Sequence, residues 1–418
     1  MERYFPLVRR EGRERRLAWH RLRRNSWVMV WTMAVAQIIS WGTLFYAFSL
    51  FVVPMQESLG WSRPLLNGAL SLGLLSTGVV AFPVGTWIDR HGGRGVMTLC
   101  SLAGGLLLLA WAQVETPWVF YLIWVCIGAS MAGVLYEPAF AVITVVFGPD
   151  ARRGITALTL VAGFASTIFM PLTQLLIGAL GWRNTLLVLG ALNLALCLPL
   201  HALFVPGTTT SQLPEMPKDD APPAPELRGI LHGRVFMGLA IWFTAYNAAQ
   251  TAFIFQFVPL LTTWGVETAA ILTSVAIIGP MQVVGRLILM CFRARLETRE
   301  IGMAVTVLLP ASILALLFLP HTLLSLGLVA TLYGVGNGIM TIVRGIAVPD
   351  LIGRTHYGAI NGALTVPTTV AKALAPFLAA ALWSAVGDPS LMLWTILGSA
   401  LLGTVGFVLA LSGTPLAE

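Results

Sequence analysis

Charged side chains are scarce in this chain, making up 10% of its 418 residues against 57% hydrophobic ones. Soluble globular chains carry about 25% charged residues. So small a supply cannot solvate a soluble body of this length. That excludes a soluble enzyme, a nucleic-acid-binding domain and a disordered protein. Cysteine is sparse as well, and Cys100, Cys126, Cys197 and Cys291 stand singly, without the spacing of a metal site. No phosphate-binding glycine loop, nucleophile–base pair or metal cluster is present, so neither catalysis nor a cofactor is expected. Long polar runs are absent except at 206–233, rich in Pro, Thr, Asp and Glu, which has the composition of a flexible linker.

What the chain does have is apolar runs of membrane length. A helix needs roughly 20 apolar residues to cross the hydrocarbon, and unpaired backbone cannot sit in lipid. In the first half such runs fall at 27–55, 64–87, 95–113, 117–147, 155–178 and 184–205. In the second they fall at 234–262, 267–292, 301–318, 322–349, 358–385 and 390–411. This predicts an all-α membrane protein of twelve transmembrane helices in two six-helix bundles, 27–205 and 234–411. A basic segment, 1–26, precedes them and a short tail, 412–418, follows.

Lysine and arginine orient the spans. Twenty fall at the termini, the linker and alternate loops, two (Arg63 and Arg183) on the opposite side, and three inside spans. Both termini are therefore expected in the cytoplasm. The N-terminal run holds nine arginines without an adjoining cleavable apolar segment, and so reads as a topology anchor against the anionic inner leaflet. A multi-pass protein of a bacterial inner membrane fits this pattern.

The halves also resemble each other. ITALTLVAGFASTIFMP (155–171) aligns without gaps to INGALTVPTTVAKALAP (360–376), and PVGTWID sets Gly85 beside Gly285 of VVGRLIL. Parallel repeats place a substrate path at their interface, near the membrane midplane.

The loop after the second span reads GTWIDRHGGR, Gly85 to Arg94. It resembles the Gly-x-x-x-Asp-Arg-x-Gly signature of the major facilitator superfamily, at the matching place between spans two and three. The resemblance implies that Gly85, Asp89, Arg90 and Arg94 form an interdomain gate that bears on conformation and not on substrate choice. Locally, Gly85 permits close helix approach, Asp89 suits a helix N-terminus, and Gly92 and Gly93 suit a tight turn.

Within that superfamily the chain resembles the monocarboxylate transporter group and its bacterial relatives. The likeness rests on WGTLFYAFSLFVVPMQESLGWSR, on the stretch from Tyr136 and Pro138 through Arg152 and Arg153 to Gly181-Trp182-Arg183, and on IIGPMQVVGR. By this resemblance Arg286 matches the arginine that binds the substrate carboxylate. Gln282 stands where the group has an aspartate linked to proton coupling, and Leu50 about where its animal members have a lysine. Anion recognition thus carries over better than proton coupling.

Ionisable residues at membrane depth cost about 2.5–3.5 kcal/mol on insertion scales and mark sites by default. Four lie within the expected spans: Glu137, Arg286, Arg344 and Lys372, with a net formal charge of +2. That favours an anionic substrate. Arg286 has a planar fork for a carboxylate, with Gln282 one turn before it on the same face. Lys372 reads as a second anion contact or as the ion-pair partner of a buried glutamate. Arg344, near the end of span ten, reads as a gating residue. Glu137 is a candidate proton site. Among neutral polar residues, Tyr136, Asn247 and Asn337 are the candidate substrate contacts.

The expected partners are a small organic anion, a proton or counter-anion, and the lipid bilayer; nucleic acid is excluded and a monomer expected. The function expected is secondary transport of a monocarboxylate by alternating access, as proton symport or anion antiport. The alternative is efflux of a drug-like or metalloid solute, with the intramembrane charges serving structure.

Overall fold

The computed structural model describes residues 26–207, 227–292 and 297–413. The basic segment 1–25, most of the expected linker (208–226), Arg293 and Arg295, and the tail from 414 lie outside the described residues. Among the described residues the secondary structure is helical, without strands. Nine stretches there are long and apolar enough to cross a membrane, and one of them, Pro117–Phe204, takes in several helices.

The first half contains α1 (Ser26–Leu59), α2 (Arg63–His91), α3 (Gly93–Trp111), α4 (Pro117–Val134), α5 (Tyr136–Phe147), α6 (Ala151–Ala162), α7 (Ala165–Leu192) and α8 (Leu198–Phe204). The second contains a short α9 (Leu227–His232), then α10 (Arg234–Thr263), α11 (Thr268–Phe292), α12 (Thr298–Phe318), α13 (Leu323–Leu351), α14 (Tyr357–Val386) and α15 (Pro389–Ser412).

Helices of the first half are repeatedly interrupted, for local reasons. Pro138 has no N–H to offer Val134, four residues earlier, and its ring crowds that carbonyl. The chain accordingly turns extended at Leu135 (φ −81°, ψ −153°), separating α4 from α5. Gln37 from α1 repairs the loss, its Nε2 donating to the oxygens of Val134 at 2.6 Å and Leu135 at 3.1 Å. The single expected span at 117–147 is thus two helices. Gly181, at φ 77°, kinks α7 where the sequence suggested two spans. Short π-turns interrupt α1 at Gly42–Tyr46 and follow α7 at Asn193–Cys197. They are tied together by Asn193 Nδ2 donating to Thr43 Oγ1 at 3.0 Å.

The second half is regular. α10 packs on α14 and α15, α11 on α13, and α12 on α13 and α15. Prolines at 259, 280, 310, 349, 367 and 376 sit within these helices without ending them.

Between the halves, α14 lies along α2, while α13 and α11 touch α6. Small residues make the first contact possible. A Cβ on Gly85 would fall 1.9 Å from the Gly358 oxygen, and one on Gly362 would fall 2.6 Å from the Ala81 oxygen. Backbone meets backbone there, as in small-xxx-small packing. The repeat partner Gly285 also faces backbone, at Val335, but within its own half.

Candidate functional site

Where α2 ends and α14 begins, Asp89 joins the halves. Its two carboxylate oxygens accept from the Gly358 and Ala359 N–H groups, each at 2.8 Å. These are free donors of the first turn of α14, where negative charge is also favoured by the helix dipole. Gly92 (φ 77°) makes the tight turn that follows. Arg94 Nε donates to the Val205 oxygen at 2.7 Å, and Arg90 is exposed. Nearby, Tyr357 donates to the Gly345 oxygen at 2.9 Å, and a Cβ on Gly345 would press on Ile155 and Phe140. This end of the molecule is closed by direct packing of one half on the other.

Above that seal lies a cavity of roughly 790 Å³, between the halves. Its wall includes Arg286, Gln282, Lys372, Tyr136, Asn247, Asn337, Glu137 and Arg344. Every substrate and proton-site candidate from the sequence is therefore brought to one place. Gly85, Asp89, Arg90 and Arg94 lie apart from it, at the closed end. Arg344, read from the sequence as a gating residue, stands in the cavity wall.

The charges are held by different means. Arg344 is fixed by neutral groups, Nη1 donating to Asn361 Oδ1 at 2.6 Å and Nη2 to Thr365 Oγ1 at 2.8 Å, with its guanidinium 4.6 Å over the Phe243 ring. Its position is built into the second half. Arg286 is different: it is 5% exposed, and its Nε has no hydrogen-bond partner. Its Nη1 occupies the space that a side chain on Gly163 would fill, 1.7 Å from such a Cβ. There the helix relaxes between α6 and α7, with ψ of −20° at Gly163 and 0° at Phe164. Glu137, in the first turn of α5, lines the same cavity as Arg344 and Lys372. Among the described residues, however, none of these four charges lies within salt-bridge distance of another. The Glu137–Lys372 ion pair considered from sequence is not made.

The neutral candidates divide. Asn337 Oδ1 accepts from Gln250 Nε2 at 2.8 Å, whereas Asn247 Nδ2 donates to the Phe243 oxygen of its own helix at 2.7 Å. Tyr136 stacks on Phe140, ring centroids 5.3 Å apart, and packs 5.1 Å from Trp41. Sequence reasoning missed Gly163, Trp41, Phe45, Phe164 and the threonines 341, 365, 368 and 369, all in the wall. In an apolar span such residues give no signal without knowing which way the helix is rotated.

Comparison with known proteins agrees with this architecture. The family model described as Major Facilitator Superfamily matches residues 30–376. A curated relative, the uncharacterized MFS-type transporter YcxA of Bacillus subtilis (strain 168), is 28% identical over 184 residues, which is 42% of this chain. That match spans 43% of the relative's own length. Among solved structures, the transporter FucP in its outward conformation is similar with a TM-score of 0.68 at 15% identity, covering 92% of this chain and 98% of that one. The human organic anion transporter MFSD10 is similar with a TM-score of 0.65 at 15% identity, covering 93% and 99%. At such identities the likeness is one of fold.

Proposed function

The chain belongs to the Major Facilitator Superfamily, and from that premise we propose that it is a secondary transporter of a small organic anion, in the first instance a monocarboxylate. It is a multi-pass membrane transporter and not an enzyme. The substrate reading rests on one observation: Arg286 is a buried guanidinium with an unpaired Nε and, among the described residues, no carboxylate within salt-bridge distance. A buried charge left so is costly, and a ligand carboxylate is the partner that would relieve it. Arginine's fork binds such a group through two parallel hydrogen bonds.

Alternating access of twelve spans follows from the same reading, with both termini and the Asp89 end in the cytoplasm. The closed Asp89 end then makes this an outward-facing state, and Asp89, Gly85, Arg90 and Arg94 the inner gate. Glu137 is the proton site in a symporter, since Gln282 cannot ionise. That a solved neighbour is an E. coli fucose:proton symporter and another a human organic anion transporter is in keeping with symport and with an anion. Metalloid efflux gains nothing from the geometry, because none of the four cysteines lines the cavity.

The test is uptake of labelled lactate, pyruvate and larger monocarboxylates into proteoliposomes, with and without an inward proton gradient. Gradient-driven uptake by the wild type that disappears in a folded Arg286→Ala variant is the expected result. Absence of any carboxylate uptake by monodisperse wild type would overturn the reading and bring drug-like efflux substrates forward.

A further inference from the structure

The two sides of the cavity differ in chemistry, and the difference describes the rest of the substrate. The second half supplies the three cations and all the side-chain amides of the wall. The first half supplies all of its aromatic rings, with Glu137 and the hydroxyls of Ser166 and Thr167 beside them. In α1 the π-turn bonds Ala47 N to the Gly42 oxygen at 3.0 Å, five residues apart. Such i→i+5 winding sets residue i+5 beside residue i, where an α-helix would carry it round to another face. Phe45, four residues after Trp41, would share its face in any α-helix, and the π-turn adds Tyr46; their ring centroids lie 5.4 Å and 6.0 Å from that of Trp41. The break at Leu135 adds Tyr136 against Trp41, and Phe140 stacks behind it at an interplanar angle of 11°. Two departures from regular helix thus assemble one continuous aromatic surface in the cavity wall.

Arg286 adjoins that surface. It reaches across from α11 into the gap at Gly163, and it lines the same cavity as Tyr46 and Tyr136. A carboxylate on Arg286 consequently leaves the remainder of the molecule against the rings. We infer that the substrate is an aryl carboxylate, an arene whose carboxylate sits a few bonds from the ring, stacked on Trp41 and Tyr136 with its anion on Arg286. Aromatic pairs in offset or edge geometry gain more than their buried area alone provides, which separates an arene from a saturated ring of equal bulk. This rests on the anion reading of Arg286 and adds the body of the ligand to its head.

The test is equilibrium binding of labelled phenylacetate to the purified full chain, with acetate, pyruvate, cyclohexylacetate and 2-phenylethanol as competitors. Trp41→Leu and the conservative Trp41→Phe are assayed beside it, each first shown to be monodisperse. The expected result is at least tenfold tighter binding of phenylacetate than of acetate or cyclohexylacetate. That ratio should fall at least fivefold in Trp41→Leu and be largely restored in Trp41→Phe. Equal competition by acetate and pyruvate would overturn the aryl inference while leaving the anion reading standing. Equal competition by cyclohexylacetate would overturn stacking in favour of plain apolar burial. If 2-phenylethanol competes as well as phenylacetate, the anion reading fails and the inference with it. No saturable phenylacetate binding by monodisperse wild type overturns the inference directly.

Discussion

The two halves of the chain share short stretches of similar sequence but contribute differently to the cavity. α10 to α15 run as whole helices despite six internal prolines, and they carry Arg286, Arg344 and Lys372. In the first half, α1, the α4–α5 junction and the α6–α7 junction each depart from regular helix exactly where they meet the cavity. They contribute all of its aromatic rings, the hydroxyls of Ser166 and Thr167, and Glu137, the one carboxylate of the described wall. An unbroken helix holds each side chain at a set height and angle, although every internal proline leaves the carbonyl four residues before it without its N–H partner. A broken helix re-aims side chains, at the cost of carbonyls that must be satisfied again, as Gln37 does for Val134 and Leu135. The cations of the wall sit on the regular half and its aromatic rings on the irregular one.

The largest effect that would sharpen this contrast is at Arg286. Arg286→Ala should weaken carboxylate binding by about 2–5 kcal/mol, the range for losing one member of a buried charged contact. Thermal stability should hold or rise, because a buried charge without a carboxylate partner is removed; calorimetric titration and a melting curve together check it. Next comes Gly163→Ala, which drives a methyl into the space of the guanidinium and should cost binding about 1–3 kcal/mol by overpacking. Its repeat counterpart, Thr368, bonds the Leu364 oxygen of its own helix at 2.7 Å, so Thr368→Ala should cost under about 1 kcal/mol. Equal losses at the two positions would break the comparison.

Asp89→Asn should follow, at about 1–2 kcal/mol, since an amide keeps one acceptor but loses the charge on two hydrogen bonds. Hydrogen exchange at Gly358 to Gly362 should speed up, with the intrinsic affinity of the cavity unchanged. The smallest effect is expected at Thr43→Val, which removes the acceptor for Asn193 between the two π-turns. A drop of about 1 kcal/mol in stability, seen in the melting temperature, is the predicted outcome.

Much of this was legible from residues that are expensive where they stand. Glu137, Arg286, Arg344 and Lys372 were conspicuous because a charge in an apolar run needs a reason, and the structure places all four on one cavity. Gly85 and Asp89 were legible from the loop motif. Helix positions followed from apolar length, as with α10 at Arg234–Thr263 against an expected 234–262. The aromatic wall was not legible. Trp41 and Phe45 are ordinary in a membrane span, and only the π-turn decides that they and Tyr46 share a face. Gly163 was one glycine among 41, and its meaning depends on an arginine more than a hundred residues away. Nor could sequence foresee that the related Gly85 and Gly285 would serve different contacts, one between the halves and one within a half.

The sign balance of the cavity has an electrical consequence. Three cations and one carboxylate give its wall a net formal charge of +2. Each elementary charge carried through a full 100 mV changes free energy by about 2.3 kcal/mol. Filling the cavity with a monoanion lowers its charge by one, so empty and loaded carriers feel the same voltage differently. A proton taken up together with the anion restores the charge of the empty carrier and cancels that difference. An extra voltage dependence of the loaded return is therefore expected for an anion carried alone, and none beyond that of the empty carrier for an anion carried with one proton.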